Sequence, residues 1–481
     1  MRQRRVALGM AAVIVLALGG IAVLHGAATA TLMRIVAVGG TPVSLVLDNR
    51  TERVFVAGAA GNGVAVLDAQ TGHLMGMVAQ NTFPGIGVVD TRHNRVFFLN
   101  LAGLNLTEIN GTTGRLVRVM GLLATPHAVG GLVVVPRTGR VFVADRSAET
   151  VSVFDGASGA VVSVLPADLG VLATGGVGPD AVPLAADERT GRVFVLGPRP
   201  FTPAMTAHPL DYDILVLDAD GRRVRRTIGG GHAPESVALD SARERAFVVE
   251  RAGLTVLDTH SLSLLRTVPL RSTATSPLVS GAPIVDEGTG RVFIATTAGT
   301  VTVLDAASGR RLRVFQEPYP LVALLVDAPT GRVVAVGDNS IGILDGRSGA
   351  LVRRIAEDWP LDPLEPSAAI DARNGQILVA VASRTNSPGV YAGAGSVSVL
   401  DGHSGTLIRR IPVGVAPVAI AVDDRTGRVF VLNQGGAVTV TDPWVWLPGW
   451  LRDRLPFVPR GASCPCTRIV PASVSMIDRS R

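Results

Sequence analysis

The chain repeats one phrase nine times, at spacings of roughly 41 to 53 residues: Asp-x-x-Thr-Gly-Arg-Val-Phe-Val, then about ten residues later Val-x-Val-Leu-Asp-x-x-Ser-Gly. Its first half stands at Arg53–Val56, Arg95–Phe98, Arg140–Val143, Arg192–Val195, Arg245–Val248, Arg291–Ile294, Arg332–Ala335, Gln376–Val379 and Arg428–Val431. Short runs of Val, Ile, Leu and Phe bounded by Gly turns favour buried strands over helices. In the sixth copy the pattern predicts four strands, 283–286, 291–296, 300–305 and 311–316. An Asp before a Gly turn joins the first to the second and the third to the fourth. The Asp side chain can accept turn amides while Gly takes the positive φ of a tight hairpin.

Four antiparallel strands per repeat, at this period, make a propeller blade. The expected fold is all-β, a single β-propeller over residues 31–481. Repeat counting predicts nine blades, with seven or eight as the alternatives. The ninth copy runs out before its fourth strand. At the other end, Leu32–Gly39 (LMRIVAVG) matches the fourth strand Leu407–Gly414 (LIRRIPVG). The N-terminal strand is therefore expected to complete the last blade and close the ring, which removes open sheet edges at the seam.

We letter the strands A to D within each blade. In an up-down meander the A–B and C–D turns share one face, and the B–C and D–A links share the other. The first set is short and uniform here. Long excursions at 197–212, 383–395, 167–180 and 433–473 all fall on the second face. Variable loops on a rigid scaffold carry binding residues, so the long-loop face is the expected functional surface. Within the last excursion, Ser473–Asp478 reads as the third strand in preference to Val438–Thr441. Residues 443–470 then form an insert rich in Trp and Pro.

Residues 1–30 are a targeting segment: Arg2, Arg4 and Arg5, an apolar run over 6–24, and Ala28-Thr29-Ala30 as a cleavage site. It reads as a cleaved signal peptide or a retained N-terminal membrane anchor, with a buried helix as the third reading. The first two place the folded part outside the cytoplasm, secreted or anchored through 6–24. Mean hydropathy is +0.38, which the leader and strands buried on both faces explain. All 45 basic residues are Arg, yet the formal charge is only +6. No basic run interleaved with aromatics occurs, so a nucleic-acid partner is not expected. The two cysteines, Cys464 and Cys466, are expected in an exposed loop. A bridge across one residue would be strained, and two ligands are too few for a structural zinc site.

The segment Val-Phe-Val-Leu-Asn-Gln…Val-Thr-Val (429–440) and its eight counterparts resemble the YVTN-type repeats of YncE-like β-propellers. Phe replaces the usual Tyr in most copies, and the Asn closing strand B survives at Asn100 and Asn433. The resemblance spans residues 31–481 and implies fold. It further implies an extracytoplasmic binding or surface protein with a protein or cell-envelope ligand. Related propellers include lactonases and quinoprotein-type enzymes, but none of their catalytic motifs is matched residue by residue.

The expected function is thus a binding scaffold acting through the long-loop face, without demonstrable catalysis. The alternative is a lactonase-like or other metal-assisted hydrolase at the channel mouth. Candidate ligand-binding residues are His127, His208 and His232 with Glu235, Asp211 and Asp213. Imidazole with carboxylates can hold a divalent metal, although no local His-x-x-x-His spacing occurs and no cofactor is expected. Trp444, Trp446 and Trp450, three of the four tryptophans, mark an interaction insert or a cap packed on the face. The Asp residues ending strand C read as turn residues in preference to a carboxylate ring. The Arg residues opening strand B read as their partners in preference to an anion-binding ring.

Overall fold

Nine four-stranded antiparallel sheets follow one another along the chain in the computed structural model. It describes residues 33–478 apart from 60, 62, 83, 101–104, 122–128, 146–147, 168–183, 199–211, 229–233, 251–252, 271–282, 297, 338–339, 357–367, 384–389 and 441–465. All regular structure among the described residues is β. In the sixth blade the strands are Ile284–Asp286, Arg291–Ala295, Thr300–Asp305 and Arg311–Gln316. They match the expected strands to within a residue at each end. The targeting segment expected over residues 1–30 lies outside the described residues.

Burial follows strand position. Strand B shows no alternation: Val54, Phe55 and Val56 are all fully buried, because each sheet is covered by a neighbour on both faces. The fourth strands, such as Leu116–Gly121, keep one face in solvent, and Leu116 and Val119 are exposed there. The apolar core is divided into nine main clusters, each shared by two successive blades. Phe247 and Val256 of blade 5 pack on Val292 and Ile294 of blade 6. The same contact recurs across the chain ends, where Val54, Val56 and Leu67 of blade 1 pack on Phe430, Leu432 and Val474 of blade 9.

That ninth blade takes strands from both termini. Its order is Pro417–Val422, Val429–Asn433, Ser473–Ile477 and Met33–Ala37. Met33 lies opposite Ile477 and Ala37 opposite Ser473. The expected third strand at Ser473 is therefore present, and the opening strand of the described chain pairs with it.

Two expectations are corrected. The links of residues 270–283 and 357–367 are also long connections between a fourth strand and the next first strand. In addition, Cys466 opens a strand, Cys466–Val470, so it does not sit in a loop; Cys464 lies outside the described residues.

Candidate functional site

The long-loop face carries a tenth sheet that belongs to no blade. Gly436–Val440 pairs antiparallel with Cys466–Val470 and parallel with Val390–Tyr391. It joins the excursions of blades 8 and 9. Gly435, at φ 74°, makes the turn into it, and a Cβ there would sit 2.3 Å from the Val470 carbonyl oxygen, so only Gly fits. The amides of Gln434 and Gly435 donate to the carbonyls of Ala416 (2.8 Å) and Val415 (2.9 Å) and fasten the sheet to the propeller.

Strand alternation sorts its side chains. Tyr391, Val438 and Val470 point inward onto Ala382, Val415 and Ala416. The pair Ala437 and Ile469, with Val390 beside them in register, then belongs to the opposite face. Ile469 is 82 % exposed, the most exposed large apolar residue among those described. Sequence reading missed this sheet, of which only the middle strand left a local signal. Val438-Thr439-Val440 alternates as a strand should, but it was weighed only as a rival to Ser473–Asp478. Both are strands, in different sheets.

Of the nominated residues, His127, His208, His232, Asp211, Trp444, Trp446 and Trp450 lie outside the described residues. Glu235 and Asp213 fall at the long-loop ends of strands Pro234–Asp240 and Tyr212–Leu217, and their side chains are outside the described set. Among the described residues no group of three or more His, Cys, Asp and Glu is placed to hold a metal ion. Nor is any helix among them long and apolar enough to cross a membrane.

On the short-loop face the strand B arginines are spent largely on the strand C aspartates. Register places the Arg opening strand B directly across from the Asp ending strand C, as at Arg53–Asp68 and Arg291–Asp305. Their side chains pair at 2.7 and 2.9 Å, and Arg245–Asp258 and Arg332–Asp345 repeat the contact at 2.6 and 2.8 Å. The anion-binding ring is thereby ruled out for these residues. Blade 2 has Asn110 where the Asp should stand, and Arg95 turns instead to buried Glu108 (2.6 Å), which Arg118 also contacts (2.9 Å). Burial nevertheless raises the Glu108 pKa, against the pull of Arg118 and Arg95.

A second set of guanidinium groups bridges successive blades. Near the axis Arg50 donates to Asn94 (2.9 Å), Arg137 to the Thr190 carbonyl (3.1 Å) and Arg243 to the Glu287 carbonyl (3.0 Å). On the outer strands Arg118, Arg353 and Arg34 donate to the Ala157, Ser404 and Thr71 carbonyls at 2.9, 3.0 and 2.9 Å. Arg34 and the Arg425–Glu52 pair carry the pattern from blade 9 to blade 1. A guanidinium can donate in two directions at once, which suits bridges of this kind.

The strand C aspartates also cap the following turns. In Asp155, Asp345 and Asp401 the carboxylate accepts from both the N–H and the hydroxyl of Ser158, Ser348 and Ser404. These bonds hold the three pKa values below the usual carboxylate range. A depressed folded-state pKa stabilises above the unfolded value and is lost as pH falls through the folded one. The thermal midpoint is thus expected to stay level above pH ~5 and to fall below pH ~4. D155N/D345N/D401N should shrink that acid fall while preserving the turns, since Asn110 already caps one (Thr113 N–H, 2.9 Å). An acid profile unchanged in the triple variant would refute the assignment.

No family model and no curated protein sequence matches the chain. Solved structures do. A eukaryotic initiation factor superposes with a TM-score of 0.52 at 10% identity, over 80% of this chain and 88% of that one. BamB from Moraxella catarrhalis gives 0.48 at 16% identity, over 73% and 96%. The dihydro-heme d1 dehydrogenase NirN in complex with DHE gives 0.48 at 15%, over 79% and 78%. At such identities the likeness is one of fold alone.

Proposed function

We propose that this β-propeller is an extracytoplasmic binding scaffold of the YVTN-repeat type that recognises a protein or cell-envelope ligand through its long-loop face. The observation that carries the reading is the tenth sheet, whose outward strip of Val390, Ala437 and Ile469 is apolar and presents Ile469 almost fully to solvent. A contiguous apolar strip displayed on a sheet fastened to the propeller is a feature of interaction surfaces. The opposite face supports the same reading by contrast, since its strand B arginines and strand C aspartates are largely spent on turns and on one another. Residues 1–30 supply the export half of the proposal.

The test is affinity capture from an envelope fraction with the mature chain, its I469R variant and a chain lacking residues 443–463. Both changes are expected to abolish capture of the same ligand while the melting midpoint of I469R stays unchanged. Capture retained at full strength by both would overturn the scaffold reading for this face.

A further inference from the structure

A hollow of about 680 Å³ opens on the opposite, short-loop side, against the inner strands of blades 4 and 5. Its wall is Ala185, Ala186, Val237 and Leu239. The space has a sequence origin. The two positions before the strand-ending Asp hold Val46-Leu47 in blade 1, Val88-Val89 in blade 2 and Leu325-Val326 in blade 7, but Ala185-Ala186 in blade 4. Ala185 faces blade 5 across this space, whereas Ala186 packs into the core shared with blade 3, so the branched side chain missing from this wall is the one at position 185.

The rim is charged. Glu188 comes from the A–B turn of blade 4 and Glu287 from that of blade 6, with Ser241 of blade 5 also at the edge. Two arginines are near, and both are committed. Arg189 donates to the Ser241 carbonyl (3.1 Å) and pairs with Glu244. Arg243 donates to the Glu287 carbonyl (3.0 Å) and to Asp240 (3.0 Å). The carboxylates of Glu188 and Glu287 have no partner among the described residues. Behind them the buried carboxylates of Asp187 and Asp286 accept from turn amides and from the Thr190 and Thr289 hydroxyls. Both therefore add negative potential that no ion pair among the described residues cancels.

We infer that this hollow binds an organic cation, a guanidinium or ammonium group carried on an apolar stem. The stem lies against the Ala-Val-Leu wall, and the cation reaches the carboxylates of Glu188 and Glu287. Such a group arrives either as a free small amine or as an Arg or Lys side chain of an extended peptide. The inference is independent of the long-loop face.

The mature protein is titrated calorimetrically with butylguanidinium, with its neutral analogue butylurea, and with acetyl-Ala-Arg-Ala-amide. Saturable binding of butylguanidinium is expected, and none of butylurea. E188Q/E287Q, both at exposed positions, should weaken it about 3- to 10-fold. A185L should weaken it with the charge intact, because the new side chain faces blade 5 and refills the wall. Tighter binding of the peptide than of butylguanidinium identifies a chain segment as the source, and the reverse identifies a free amine. The proposal fails if neither cation binds saturably, if butylurea binds equally, or if both variants bind as the parent does.

Discussion

A mature chain lacking residues 33–39 is expected to lose most of its stability and to aggregate. Two observations support this. Val38 is buried in the core between blades 9 and 1, a contribution of about 1.5–3 kcal/mol by itself. The strand Met33–Ala37 also covers Ser473–Ile477 along five residue pairs, and without it the latter becomes an unpaired apolar edge. The Arg34 bridge to the Thr71 carbonyl is lost as well. Together these are a large share of the about 5–15 kcal/mol by which folded domains are stable. Restoring residues 31–40 after Arg481 should recover the fold. The added segment then needs only the five-residue turn that separates Asp68 from Leu74 in blade 1. Thermal unfolding followed by far-ultraviolet circular dichroism reads both chains. A deletion variant that melts with the parent, or a transplant that fails to recover, contradicts the shared blade.

Phe247→Ala is expected to destabilise the protein by about 3–5 kcal/mol, the range for emptying a buried aromatic site. Phe247 is fully buried and packs between blades 5 and 6 beside Val249, Leu254, Val292 and Ile294. The strands on either side are hydrogen-bonded into their own sheets, so they cannot collapse into the cavity. Ile408→Ala offers the matched control. Ile408 lies on a fourth strand with nearly half its surface in solvent, and its loss should stay within about 0.5 kcal/mol. Urea unfolding of the two variants side by side checks the contrast. Equal effects would mean that the inter-blade clusters are not where the fold is held.

Much of this architecture was legible in the residues. The Arg-Val-Phe-Val runs and the Asp-x-x-Ser-Gly turns are local signals: a run buried on both faces must be apolar throughout, and a hairpin needs Gly at its positive φ. Their repetition foretold nine sheets, and the likeness of Leu32–Gly39 to Leu407–Gly414 foretold which strand completes the last. Even the pairing of Arg53 with Asp68 could be anticipated, because the A–B and C–D turns that they flank lie side by side on one face. The tenth sheet could not. Val390–Tyr391 is two residues long and pairs in parallel with a strand more than forty residues away, so no local pattern specifies it. Blade 2 was equally opaque: with Asn110 in place of the usual Asp, only the packed structure shows that Glu108 takes over as partner of Arg95.

What the sequence by itself determined is the repeat unit and its number, since each strand and turn is dictated by neighbours within a few residues. Only the tertiary structure decided what successive units do to one another. The Arg34 and Arg118 bridges, the apolar strip at Ile469 and the hollow beside Ala186 all depend on residues of different blades coming within a few ångströms. That proximity is a property of how the sheets stack around the axis, and no spacing along the chain encodes it.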